Sequence, residues 1–212
     1  MASSVYEPSP RFSHSSAQVE DNAYLWGGLT QDSSRSEVIN IFDCYTERWK
    51  ECSTTGIPPP GLQYGSFTLL CDDLYYFGGY DGKGAHNSLH RLQTRTLEWQ
   101  DIKQANPAGG PLPKLGCGMV AYQQQLALIG GACHTPTGPL QAGAEFIKNL
   151  KVTGYGWTNE FHLFSIREGV WIYFCCSLVW VWLYPLPAHS QYWSNEYVEV
   201  RAPQPTSQGE GV

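Results

Sequence analysis

Along this chain, apolar and aromatic residues come in short runs that close on a pair of glycines, and the arrangement occurs three times. Tyr24-Leu25-Trp26 leads into Gly27-Gly28, Leu74-Tyr75-Tyr76-Phe77 into Gly78-Gly79, and Leu126-Ala127-Leu128-Ile129 into Gly130-Gly131. The first glycines of the pairs stand 51 and 52 residues apart. Ahead of each pair lies a second apolar run, separated by a short polar turn: Glu20-Asp21-Asn22, Asp72-Asp73 and Gln123-Gln124-Gln125. Aromatic and alternating runs favour a pleated, half-buried surface, and two of them split by a polar turn predict an antiparallel hairpin. The three hairpins align without a gap back to His14, Gly65 and Cys117. A third strand follows a loop, and these strands align on a tryptophan: Ile39 to Trp49, Leu89 to Trp99, Phe161 to Trp171. A fourth begins near that tryptophan, whose burial between blades stabilises by a few kcal/mol. A repeat of about 50 residues made of four short strands predicts propeller blades.

The predicted fold class is therefore all-β: a partial propeller of three four-stranded antiparallel blades with an irregular C-terminal tail. Residues 1–10, small and polar with two prolines, read as a flexible lead-in. Blade 1 spans 11–60, blade 2 spans 61–113 and blade 3 spans 114–175. Prolines punctuate the joints, at Pro58-Pro59-Pro60 and at Pro107, Pro111 and Pro113, because proline cannot continue a ladder. Blade 3 departs from the pattern. Gly130 to Trp171 is 41 residues, against 22 and 21 in the other copies, which places a loop insertion at 132–156. It includes a helix-capable piece, Gln141 to Leu150. Its length fits either a binding loop beside the channel mouth or a tolerated surface insertion. Residues 176–212 read as a divergent hydrophobic segment followed by a disordered tail. Val170 to Tyr184 is fifteen residues with one Ser, short of the 18 or more expected of a spanning helix. It reads as a fourth strand with a hydrophobic continuation, or as a weak membrane anchor without a positive-inside signal.

Paired glycines, a spaced polar-aromatic strand and a tryptophan about twenty residues on resemble Kelch repeats, over roughly residues 11 to 175. Pro10-Arg11-Phe12-Ser13-His14-Ser15 resembles the Kelch opening. Gly156-Trp157-Thr158-Asn159-Glu160-Phe161-His162-Leu163, with Lys114-Leu115-Gly116 upstream, resembles one subgroup: the Kelch-domain-containing substrate receptors of cullin-RING ubiquitin ligases, which capture C-terminal degron peptides ending in glycine. The resemblance implies a degron pocket lined by Trp157, with Lys114 as a second substrate-binding residue. Lys114 sits two residues further from the glycine pair than the subgroup pattern has it. Ala132 replaces the pocket tyrosine, and the carboxylate-gripping arginines of a later blade have no counterpart here. A cullin-RING ligase adaptor would dock through a region beyond the point where the pattern breaks.

Composition narrows the partners. A net charge of −6 gives no phosphate-tracking surface, so nucleic acid is not an expected partner. Seven cysteines, an odd number with no C-x-x-C pair, together with no glycosylation sequon or signal-peptide pattern, point to a reducing compartment, the cytoplasm or nucleus. The cysteines read as buried small residues and His14 as a hydrogen-bonded strand residue. His86 and His90 fall on a loop and a strand, so no zinc site is expected. Glu145 and Glu160 read as solvated charges. With no His, Cys or carboxylate cluster at ligand spacing, an enzyme is disfavoured and no cofactor or metal is expected. The expected function is a non-enzymatic protein or peptide interaction module, degron-receptor-like. The alternative is a cytoskeletal or trafficking scaffold. Closed propellers have four to eight blades, so three imply a piece or alternative form of a longer protein, with raw edges that self-associate.

Overall fold

The computed structural model describes residues 6–104 and 109–174; the hydrophobic and tail segments from residue 175 on lie outside them. The first repeat contains β1 (Arg11–Phe12), β2 (Ser15–Val19), β3 (Asn22–Trp26), β4 (Leu29–Thr30), β5 (Ile39–Asp43) and β6 (Arg48–Cys52). The second contains β7 (Thr55–Gly56), β8 (Ser66–Leu70), β9 (Asp73–Phe77), β10 (Leu89–Gln93) and β11 (Glu98–Asp101). The third contains β12 (Lys114–Leu115), β13 (Gly118–Tyr122), β14 (Gln125–Ile129), β15 (Ala132–His134), β16 (Phe146–Lys148), β17 (Tyr155–Thr158), β18 (Phe161–Ser165) and β19 (Val170–Phe174). Three antiparallel sheets ordered β2-β3-β5-β6, β8-β9-β10-β11 and β13-β14-β18-β19 are the blades, with β7 added in parallel to the outer strand of the second.

The repeat is written in the backbone as well as in the side chains. Each hairpin turns on a non-glycine residue with positive φ, at Glu20, Cys71 and Gln123. A second left-handed position recurs at Ser13, Tyr64 and Gly116. These residues are joined in series, Tyr64 N–H donating to the Ser13 carbonyl and Gly116 N–H to the Tyr64 carbonyl. The glycine pairs serve the same stitching. Gly28 N–H donates to the Leu62 carbonyl and Gly79 N–H to the Lys114 carbonyl, each in the next blade. At Gly78, where φ is 65°, a Cβ would fall 2.5 Å from the Lys114 carbonyl oxygen, so only glycine lets the blades approach this closely.

Between blades 1 and 2, Trp26, Ile39 and Ile41 pack with Leu74, Tyr76, Leu92 and Trp99. Between blades 2 and 3, Tyr75, Phe77 and Leu89 pack with Leu126, Leu128, Phe164 and Trp171. Each tryptophan meets the aromatic residue that precedes the glycine pair of the blade before. Trp99 lies 4.9 Å from Trp26 and Trp171 lies 5.6 Å from Phe77, centroid to centroid. Trp49, expected to fill a wedge like the others, is instead half-buried against Phe42 of its own blade. Its side of blade 1 faces away from blade 2, and no described strand packs on it.

The insertion carries short strands between its turns. Ala132–His134, Phe146–Lys148 and Tyr155–Thr158 are strands and join Lys114–Leu115 in a fourth sheet, β12-β15-β17-β16. The helix-capable piece Gln141–Leu150 forms no helix; Phe146–Lys148 pairs with β17 there, so tertiary pairing overrides local helix propensity. Two cysteines also depart from expectation. Cys44 and Cys71 are exposed, while Cys117 and Cys133 are buried, and all five described cysteines are free thiols. Among the described residues no helix is long and apolar enough to cross a membrane.

Candidate functional site

The connections that follow the three glycine pairs meet one another. The Arg35 guanidinium of the first donates to the Asp81 carbonyl of the second. The Asp81 carboxylate accepts the backbone N–H groups of Lys83 and Gly84, both at 2.7 Å, and lies 3.2 Å from His86 Nε2. Those two backbone donors are the main reason its carboxyl is held below the usual range. Tyr80 stands edge-on to Tyr155 of the third connection, at 6.4 Å. The Tyr155 hydroxyl shares a 2.7 Å hydrogen bond with His134 Nε2, and the two rings are 4.0 Å apart. Burial, followed by the neighbouring Tyr80 and Asp81, pushes the Tyr155 phenol up to about 12, so it stays protonated.

The fourth sheet decides which of its residues can act together. Leu115, Ala132, Trp157 and Ile147 are directly opposed across its four strands, as are Lys114, Cys133, Gly156 and Lys148. Opposed residues point to the same side and adjacent ones to opposite sides. Trp157 therefore shares a face with Tyr155, His134, Ala132 and Ile147, while Lys114 lies on the other face. Trp157 and Tyr155 are half-buried, and His134 and Ile147 are exposed. The result is an aromatic face extended by Tyr80 and, across the second connection, by Arg35. Its members come from all three repeats.

Lys114 is fully buried, and its ammonium lies 2.7 Å from the Glu160 carboxylate, itself 2% exposed. Glu160 is thus half of a buried ion pair and not a solvated charge; Glu145 is exposed. The structure separates the two residues picked from sequence: Trp157 borders the aromatic face, whereas Lys114 ties the start of the third repeat to Glu160, just past the insertion. Tyr80, Tyr155, His134 and Arg35 were not singled out from sequence. Only Tyr80 carried a signal, since it follows a glycine pair at the position of Ala132. His86 pairs with Asp81, while His90 is buried with Nδ1 3.3 Å from the Ile57 carbonyl. Among the described residues no three His, Cys, Asp or Glu side chains group at metal-binding distance.

Beside the ion pair lies His162, with no exposed surface and no hydrogen-bond partner on either ring nitrogen among the described residues. Burial lowers its pKa to about 4, from 6.5. As pH falls below about 6.5, the unfolded chain takes up a proton at this imidazole that the folded chain refuses until about pH 4. Stability present at neutral pH is lost across that interval. Between pH 7 and 5 the loss from this group is expected to be about 2 kcal/mol. Urea melts at both pH values, on the wild type and on His162→Phe, check it: the pH dependence should be shallower in the variant by that amount, and equal slopes count against it.

Comparison with known proteins bears on this arrangement. Residues 2–179 match the KLHDC2/KLHL20/DRC7 Kelch-repeats domain. The chain is similar to Kelch domain-containing protein 2 of Homo sapiens, 26% identical over 181 residues that cover 77% of this chain and 44% of the relative. It is also similar to Kelch domain-containing protein 3 of Bos taurus, 32% identical over 104 residues that cover 48% of this chain and 27% of the relative. The matched regions thus span less than half the length of either relative.

Proposed function

The chain belongs to the family of the KLHDC2/KLHL20/DRC7 Kelch-repeats domain, a partial β-propeller of an interaction-domain family, and we propose that it is a non-enzymatic receptor for peptides. The proposed ligand is an extended C-terminal peptide of the degron type, bound across the rim formed by the connections after the glycine pairs. The observation that carries this reading is the shared aromatic face of Trp157 and Tyr155, continued by Tyr80. Side chains of this kind supply large, rigid contact area at low entropic cost and dominate peptide and protein interfaces. In this reading Trp157 and Tyr155 form the wall against which the last residues of the peptide lie. Arg35 takes the terminal carboxylate; its guanidinium carries five donors and the Asp81 carbonyl engages one nitrogen. Lys114 supports the wall from its far side and does not touch the ligand. A ligase adaptor and a cytoplasmic or nuclear location are part of the same proposal.

The test is binding of immobilised peptides that end in glycine, each as the free acid and as the amide. Trp157→Ala is expected to weaken retention of the acid about tenfold or more. Arg35→Ala should weaken the acid and leave the amide unchanged. Equal retention of acid and amide by the wild type, or indifference to Trp157→Ala, counts against the receptor reading; capture of a cytoskeletal or trafficking protein in its place favours the scaffold.

A further inference from the structure

We infer that Asp81 is a positioning residue of this rim: its carboxylate folds the turn whose main-chain carbonyl holds Arg35 in place, and it does so without touching the ligand. Under the receptor reading, on which this rests, Arg35 takes the terminal carboxylate of the peptide; Asp81 sets the position from which it does so. The run Tyr80-Asp81-Gly82-Lys83-Gly84 suits a tight turn, because an aspartate oxygen can accept main-chain N–H groups a few residues on. Asp81 Oδ1 accepts two, from Lys83 and from Gly84, each at 2.7 Å, and the Asp81 N–H donates to the Gly84 carbonyl at 3.2 Å. Oδ2 lies 3.2 Å from His86 Nε2. Both carboxylate oxygens are thus engaged within the connection.

The ends of this turn are fixed by the backbone. Tyr80 exchanges both main-chain hydrogen bonds with Gln63, while His86 donates to the Gly79 carbonyl and its own carbonyl accepts Lys114 N–H. Between those ends, residues 81–84 are held to one another by one main-chain bond and by the two bonds to the Asp81 carboxylate. Gly82, with φ at 86°, supplies the left-handed step. The Asp81 carbonyl then accepts the Arg35 guanidinium, so the carboxylate governs where that carbonyl stands.

Arg35 needs that support. It is exposed, and its long side chain has much rotamer freedom. Among the described residues no carboxylate lies within ion-pair reach of it, and the Asp81 carbonyl is its one hydrogen-bond acceptor. Gly82 shapes the same spot: a Cβ there would lie 2.4 Å from Arg35 Nη2, so a side chain at 82 displaces the guanidinium. Because Arg35 bonds to the carbonyl of Asp81 and not to its carboxylate, a neutral side chain of the same shape can fill the role. Asparagine keeps an Oδ1 acceptor for the two N–H groups, and alanine keeps none. A guanidinium already held in place has less freedom to lose on taking a carboxylate, which strengthens binding.

Two readouts on the full chain test this: nitrogen relaxation at Arg35 Nε without ligand, and retention of the glycine-ended peptides as acid and as amide. Arg35 Nε–H should be ordered in the wild type and in Asp81→Asn, and lose that order in Asp81→Ala. Exchange of the Gly84 amide should quicken about tenfold or more in Asp81→Ala alone. The preference for acid over amide should fall about tenfold in Asp81→Ala, while Asp81→Asn stays within about twofold of wild type. Gly82→Ala keeps the carboxylate but displaces the guanidinium, so it should lose both the order and the preference even where alanine at 81 unfolds the chain. Arg35 as ordered in Asp81→Ala or Gly82→Ala as in the wild type overturns the assignment. So does an Asp81→Asn that fails like Asp81→Ala, which means that the charge acts and not the turn. Equal retention of acid and amide by the wild type sinks the receptor reading, and the relaxation at Arg35 still decides whether Asp81 positions it.

Discussion

Lys114→Met alone is expected to lower the free energy of unfolding by about 3–5 kcal/mol, and Glu160→Leu alone by a similar amount. Each single change strands a buried charge that had one partner at 2.7 Å and no route to water, since the two side chains are 0% and 2% exposed. The double variant Lys114→Met/Glu160→Leu is expected to recover most of the loss. Two observations favour this recovery. The position equivalent to Lys114 in blade 2 is Leu62, fully buried in the first inter-blade core, so the site accepts an apolar side chain in the same backbone setting. The Lys114 main chain also keeps its role in the variants, because its carbonyl accepts Gly79 N–H and its N–H donates to His86, independent of the side chain. Urea unfolding of the four proteins gives the coupling energy directly. Additive losses in the double variant, or single variants within about 1 kcal/mol of wild type, show that the pair is hydrated and not buried as described.

The same pair marks the boundary of what the amino-acid order makes visible. The glycine pairs, hairpins and tryptophans are legible because each blade needs them at the same spacing: the pair to let a neighbouring carbonyl approach, the indole to meet the aromatic residue of the previous blade. Three aligned copies turn weak local preferences into a definite fold. Lys114 and Glu160 are 46 residues apart and belong to no repeating pattern, so nothing local distinguishes Glu160 from a solvated carboxylate. The fourth sheet escaped for a related reason. Its strands are two to four residues long, too short to display alternation, and β12 is recruited from ahead of the blade's first hairpin. The face shared by Trp157, Tyr155 and His134 follows from that sheet alone, which is why a motif could suggest Trp157 but not its neighbours. Cys71 aligns with Glu20 and Gln123 at the left-handed turn of each hairpin, and that alignment already argues for an exposed residue.

Trp99→Ala is expected to cost about 3–5 kcal/mol, whereas Trp49→Ala in dilute solution should cost about 1 kcal/mol or less, although the two occupy the same repeat position. Trp99 is 1% exposed and touches three elements: Trp26 at 4.9 Å, Phe67 at 6.4 Å and, through the shared core, Leu92. Truncating it leaves a cavity walled by two rigid sheets, which cannot collapse to fill it. Trp49 is only half-buried and has one aromatic contact among the described residues, with Phe42 at 5.1 Å, so truncation removes part of a surface contact and creates no enclosed void. The contrast separates local from junctional stabilisation, because identical β-strand settings predict identical costs if the indole acts only within its own blade. Chemical denaturation at low protein concentration measures both. Equal costs for the two variants at low concentration mean that the tryptophans act within their blades, and the wedge between blades is not what holds the arc together.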